Sequence, residues 1–204
     1  MLLGIRSKIF MLAAGPTAVN QLIYLAMAAI MLSLGANEGQ RERNLGEALR
    51  RLRQKGIDPL RVSGIYETEP VGTAADSRWF LNMAVLASTD LEPAETLAAC
   101  LQVESDMGRR RDARSPKGEP RAIDIDLLAW NDAVIVGAEL TLPHPRMHAR
   151  RFVLEPLVEI APGWMHPIEK RTASEMLATL EDPAVVRRVR DRIEETVEWK
   201  LEGR

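Results

Sequence analysis

Asp124 and Asp126 stand two residues apart in Arg121-Ala122-Ile123-Asp124-Ile125-Asp126-Leu127-Leu128, an apolar run rich in β-branched residues. On a strand, residues two apart project from the same face, so the two carboxylates lie side by side while Ile123, Ile125 and Leu127 turn the other way and can be buried. Adjacent carboxylates repel each other unless a cation lies between them. Just upstream, Gly108-Arg109-Arg110-Arg111-Asp112-Ala113-Arg114 concentrates guanidinium groups, which suit bidentate capture of phosphate oxygens. Oxygen ligands beside clustered arginines match a magnesium-bound polyphosphate. Two metals held by such a pair can clamp both ends of an in-line phosphoryl displacement. The competing reading places the acids on the wet face of an antiparallel strand; the neighbouring arginines argue against it.

Glu104, Arg109, Arg111 and Arg121 form a second group. A surface loop laced with salt bridges is the alternative for them, but repeated arginine without matching lysine favours oxygen recognition. Arg121 has the opposite strand parity to the aspartates, so it acts from the loop before the strand. No G-x-x-x-x-G-K-[ST] and no G-x-G-x-x-G occurs, which removes the P-loop and the simple dinucleotide fold. His144 and His148 are four apart, but Pro145 keeps them off one helical turn, and zinc lacks the three or four ligands it needs. His144, between two prolines, suits donation to a ligand phosphate or closure of a turn. Phe152 reads on composition as core. Cys100 is the single cysteine, so no intrachain disulfide framework exists and a reducing, cytoplasmic setting is expected. It reads as a small residue on a helix core face.

Several elements must position these groups. The 204 residues fit one domain with remainders at the ends, and a net charge of −2 gives no global pull toward nucleic acid or membrane, so phosphate binding has to be local. No apolar run reaches the length of a membrane span. Met1 to Ala26 faintly resembles a signal peptide, but Gly15-Pro16 and Asn20-Gln21 interrupt it; an ill-ordered extension over 1–27 is the preferred reading. Strands are expected at Ala28–Leu34, Leu60–Thr68, Phe80–Ala87, at the aspartate run to Trp130, and at Val134–Val136. Helices are expected at Arg41–Lys55, from Glu92-Pro93 to Met107, over His148–Glu159 with two pieces or a kink at Pro156, and over Thr172–Leu180. Leu142-Pro143-His144-Pro145 reads as an extended linker. The charged segment from Pro183 to Leu201 reads as a further amphipathic helix whose arginines face solvent. The order β-α-β-β-α-β fits a ferredoxin-like α+β sandwich, mainly antiparallel and flanked by helices, with extra C-terminal helices. The domain is placed at 28–182 and a helical extension at 183–204.

With the elements in order, the chain from about Ala28 to Pro162 resembles the 6-hydroxymethyl-7,8-dihydropterin pyrophosphokinase family. The blocks that carry the resemblance are Leu34-Gly35-Ala36-Asn37, Tyr66-Glu67-Thr68-Glu69-Pro70-Val71-Gly72, Phe80-Leu81-Asn82, Arg121 to Leu127, and Leu142-Pro143-His144-Pro145-Arg146-Met147, continuing through Arg150-Arg151-Phe152. The resemblance implies transfer of the β,γ-pyrophosphate of ATP to the pterin hydroxymethyl oxygen, with release of AMP. By the same resemblance Asp124 and Asp126 are ligands of two magnesium ions. Glu104, Arg109, Arg121, His144 and Arg150 attend the nucleotide, and Arg111 closes over the site from a loop. Phe152 and Val71 sandwich the pterin, Thr68 and Asn82 bond its edge, and Gly35 and Phe80 wall it. Many relatives carry a tryptophan shortly before the strand; Ser115-Pro116-Lys117-Gly118-Glu119-Pro120 has none. A monomer acting on ATP and the pterin is expected, without nucleic-acid or membrane partners. Two rivals remain at this level. A nucleic-acid-binding sheet would need exposed aromatics where the aspartates stand, and a non-catalytic regulatory domain would bind its ligand without consuming ATP.

Overall fold

A near-continuous apolar run over Ala28–Ala36 produces a strand, β1, that is buried on both faces. The computed structural model describes residues 27–69, 78–109 and 120–191. After β1 come helix α1 (Arg41–Gln54), β2 (Ile57–Val62), β3 (Ile65–Thr68), β4 (Phe80–Thr89), α2 (Pro93–Asp106) and β5 (Asp124–Trp130). A small hairpin of β6 (Ile135–Val136) and β7 (Thr141–Leu142) follows, then a 3-10 turn (Met147–Ala149), α3 (Arg151–Ile160), α4 (Ala173–Ala178) and β8 (Val186–Arg190). The main sheet runs β5-β1-β4-β3-β8, with β2 also paired to β4, and every pairing is antiparallel.

The two faces of the sheet are filled differently. Ile30, Leu32, Leu34, Leu81, Met83, Val85, Ile125 and Leu127 pack with the apolar stripe Leu45, Ala48, Leu49 and Leu52 of α1 and with Cys100 and Val103 of α2. Cys100 is buried there, as expected, and burial pushes its thiol up to about 12, so it is held as an inert thiol. On the opposite face Met31, Ala84 and Leu128 pack beneath Val153, Leu154 and Leu157 of α3 and Met176 of α4. That second cover reaches only part of the sheet. The ends of β1, β4 and β5 that carry Gly35, Asn82 and Asp124 extend beyond its packed residues.

Local chemistry fixes the helix starts. Pro93 occupies the first turn of α2, and Glu92 and Glu95 form a reciprocal capping box. Thr172 and Glu175 do the same for α4. Before α4, His166 is 2% exposed, and its Nδ1 accepts from the backbone N–H groups of Ile168 and Glu169. Burial lowers its pKa, Glu169 opposes this, and the ring of His148, 6.0 Å away, adds to the lowering. Neutral His166 is thus favoured in the fold. Its contribution to stability is complete above about pH 6.5 and is lost as pH falls from there toward its depressed pKa. The variant His166→Asn keeps an acceptor for both N–H groups and removes the titration. Its melting temperature should fall less steeply between pH 7 and pH 5 than that of the parent; equal slopes refute the assignment.

Four sequence expectations change. The strand expected at Leu60–Thr68 is two strands, broken at Ser63-Gly64. Ser63 turns its hydroxyl to the N–H of Ala84, and the N–H of Gly64 goes to the carboxylate of Glu159 on α3, so the ladder is interrupted. A Cβ at Gly64 would lie 2.6 Å from the carbonyl oxygen of Arg190, so glycine is what lets β8 close on this edge. The helix expected over 183–201 is instead a strand at Val186–Arg190, paired with β3; 192–204 lies outside the described residues, as do 1–26. Its arginines are engaged rather than only solvated: Arg187 stacks on Trp79, Arg188 pairs with Glu159, and Arg190 with Glu42. The expected break at Pro156 falls earlier, at Arg150, which is extended between the 3-10 turn and α3, and Pro156 sits inside a continuous helix. Finally, Val134 is outside the short strand and Leu142 belongs to β7, so part of the expected linker is a hairpin arm.

Candidate active site

The register of β5 on β1 places Asp124 opposite Gly35 and Asp126 opposite Ser33, and β1 on β4 places Gly35 opposite Asn82. Asp124, Gly35 and Asn82 therefore form one lateral row across three strands. Both aspartates share the α3 side of the sheet with Leu128, while Ile125 and Leu127 lie in the core on the other side. The parity read from the sequence holds.

Asp124 is held by two arginines. Arg109 Nη1 donates to Oδ1, and Arg121 Nη1 donates to Oδ2 at 2.7 Å. Arg109 Nη1 also donates to Glu104 Oε1 at 2.5 Å, and that oxygen accepts the N–H of Ile125 at 2.7 Å. Glu104 is 1% exposed at the last turn of α2. It faces inward and fixes both Arg109 and the first rung of β5, which its charge and position alone did not foretell. Its place four residues after Cys100 and eight after Thr96, on the stripe of α2 that is buried, was the available signal.

Asp126 lies beyond this lattice, with Arg150 Nη1 at 4.0 Å from its Oδ2. Burial raises its pKa, the charge of Asp124 raises it further, and His144, Arg150 and Arg109 oppose. Its negative charge is thus under-compensated by the protein. An oxygen-only pair with such a deficit fits a hard divalent cation. Among the described residues no group of three or more His, Cys, Asp or Glu is placed to hold a metal by itself, so substrate phosphates and water would have to complete the coordination, as magnesium prefers.

His144 is anchored beside β5 by its N–H to the carbonyl of Leu128 at 2.8 Å, and the Leu142–Pro143 peptide is cis. Its Nδ1 accepts from the N–H of Arg146, which assigns the ring proton to Nε2. Burial lowers the pKa of this imidazole, Asp126 opposes, and Arg150 and Arg146 add to the lowering. His148 sits elsewhere, against the ring of His166, so the two histidines do not form a common site.

Asn82, Thr68 and two phenylalanine rings adjoin the acids. Asn82 Nδ2 donates to Thr68 Oγ1 at 2.7 Å, which aims its Oδ1 at Gly35. Phe80 lies under the guanidinium of Arg121 at 5.6 Å, and Phe152 on α3 lies under that of Arg150 at 5.4 Å. Phe152 is only partly buried, so it is both packed and available. Val71 and Arg111 lie outside the described residues, as does the stretch 115–119. A Cβ at Gly35 would sit 2.7 Å from Asn82 Oδ1. The variant Gly35→Ala should raise KM for a ring substrate by about tenfold, with KM for the nucleotide within about twofold; equal rises in both would contradict this placement.

A pair of neighbouring carboxylates, converging guanidinium groups and two partly covered aromatic rings on an antiparallel α+β sheet have the make-up of a phosphoryl-group transferase. Residues 31–162 match the model of the 7,8-dihydro-6-hydroxymethylpterin-pyrophosphokinase (HPPK) family. The chain belongs to that family. It is 41% identical over 157 residues to the 2-amino-4-hydroxy-6-hydroxymethyldihydropteridine pyrophosphokinase of Bacillus subtilis, covering 76% of this chain and 85% of the relative. It is also 41% identical over 164 residues to the enzyme of that name from Methylorubrum extorquens, covering 80% and 99%. The fold is similar to that of the Plasmodium falciparum HPPK-DHPS crystallised with pteroate, with a TM-score of 0.60 at 16% identity, covering 74% of this chain and 42% of that longer one.

Proposed function

We propose that this chain transfers the β,γ-pyrophosphate of ATP to 6-hydroxymethyl-7,8-dihydropterin, giving the pterin diphosphate and AMP in tetrahydrofolate biosynthesis. The observation that carries the reading is the lateral row Asp124–Gly35–Asn82. Neighbouring strands lie about 5 Å apart, so the phosphate-binding and ring-binding ends of the row are about 10 Å from each other, which brings an alcohol on the ring within reach of a polyphosphate over β5.

Asp124 and Asp126 would hold the magnesium, two ions by the family resemblance, which supplies charge neutralisation on the triphosphate when bound. Arg109 and Arg121 donate to oxygens of the transferred group, exchanging part of their pairing with Asp124 for phosphate. His144 donates from Nε2, and Arg150 and Glu104 complete the frame, Glu104 by holding Arg109. Thr68 and Asn82 bond the pterin edge, Gly35 and Phe80 wall it, and Phe152 stacks on it, opposed by Val71 in the family pattern; Arg111 is assigned to closure over the nucleotide on the same basis. The hydroxymethyl oxygen bonds to the β-phosphorus as the bond from that phosphorus to the α,β-bridging oxygen breaks. AMP leaves with the bridging oxygen, and the hydroxyl proton passes to solvent. Such transfers depend on positioning and charge stabilisation, so no strong base is needed at the alcohol. The same reading makes the enzyme a cytoplasmic monomer; among the described residues no helix is long and apolar enough to cross a membrane.

Incubation of the protein with ATP, magnesium and hydroxymethyl-dihydropterin should yield AMP and the pterin diphosphate in equal amounts. Formation of ADP, or pterin binding without ATP consumption, would overturn the reading.

A further inference from the structure

Asn37 follows Gly35 by two residues, just where β1 ends, and is 1% exposed. Its backbone N–H donates to the carbonyl of Arg121 at 3.1 Å, and its side-chain Oδ1 accepts the N–H of Arg121 at 2.8 Å. One residue thus grips both polar groups of a backbone unit 84 positions away. The β1–β5 register ends at the Gly35–Asp124 pair, so the ladder does not reach Arg121. Asp124 itself is fixed independently, by that pairing and by the Ile125 N–H held on Glu104.

The acceptor assignment leaves Asn37 Nδ2 as the donor, and among the described residues it is buried without a hydrogen-bond partner. Burying an unpaired donor destabilises the fold. An apolar side chain would fill the position without that cost, so what the amide contributes is its oxygen, and the oxygen is spent on Arg121. The side chain of Arg121 in turn spans the site: its Nη1 reaches Asp124 Oδ2 at 2.7 Å, and its guanidinium covers the Phe80 ring.

We propose that Asn37 is a positioning residue for the transfer, clasping the backbone of Arg121 so that its guanidinium is aimed at the transferred phosphates. The inference rests on the role given to Arg121 above. An ångström of drift at this backbone unit would move the guanidinium off the reacting group, and rate is sensitive to displacements of that size.

A double-mutant cycle on kcat, with KM measured for both substrates, tests it. The variant Asn37→Ala should lower kcat about tenfold with KM for the pterin within about twofold, and in an Arg121→Ala chain the same change should cost less than about twofold. A tenfold loss in both backgrounds, or a loss confined to KM for the pterin, overturns the proposal and leaves the role of Arg121 standing. Unchanged kcat in Arg121→Ala alone overturns both. If Asn37→Ala does not fold, Asn37→Leu, which fills the position but has no acceptor for the Arg121 N–H, runs the same cycle with the same criteria.

Discussion

Asp126→Ala should lower kcat by a factor on the order of 10³ while the fold stays intact. The carboxylate makes no hydrogen bond that supports the fold among the described residues; its nearest cation is Arg150 at 4.0 Å. Burial and Asp124 both raise its pKa, so the native protein gains nothing from its charge. Removing it relieves repulsion, and the melting temperature should hold or rise slightly. What is lost, on the proposed function, is an oxygen ligand at the place where phosphate charge must be neutralised, a loss on the order of 4 kcal/mol in the transition state. Turnover at saturating magnesium, with a melting curve on the same sample, decides the matter. Near-normal kcat would remove Asp126 from the metal site.

Arg109→Ala should act on catalysis and stability together. Its Nη1 lies between Glu104 and Asp124, and Glu104 is 1% exposed. Taking this guanidinium from a buried carboxylate costs on the order of 2–3 kcal/mol of stability. Loss of a donor to the transferred group should lower kcat by about 10²-fold, with pterin affinity within about threefold. The two effects are separable. Adding Glu104→Gln to the Arg109→Ala chain neutralises the buried charge and keeps an oxygen for the Ile125 N–H, so it should restore melting temperature and not turnover. Recovery of both would show that Arg109 serves only the fold, and an equal loss in pterin binding would contradict its placement at the phosphates.

The parts legible in the sequence were those with local periodicity. The alternation that puts Ile125 and Leu127 in the core puts Asp124 and Asp126 on the open face. The stripe of α1 and the burial of Cys100 follow in the same way. The parts that were not legible depend on partners far along the chain. Val186–Arg190 has apolar spacing compatible with a helix, yet Arg190 meets Glu42, 148 positions away, and Arg188 meets Glu159 on α3. Those pairings and the open edge of β3 outweigh local propensity. The inward turn of Glu104 and the grip of Asn37 on Arg121 likewise need the folded sheet before either has anything to bind. Within the expected extension 183–204, β8 is part of the sheet.

That closing strand also bears on solubility. Among the described residues nothing pairs with the outer side of β8, and an open strand edge can template stacking between molecules. Three arginines in five residues line this edge, and two copies meeting edge to edge would have to crowd like charges and disturb the pairs that Arg188 and Arg190 make with Glu159 and Glu42. The side chains that tie the strand to its own body are therefore the same ones that guard its open edge against recruiting a second chain.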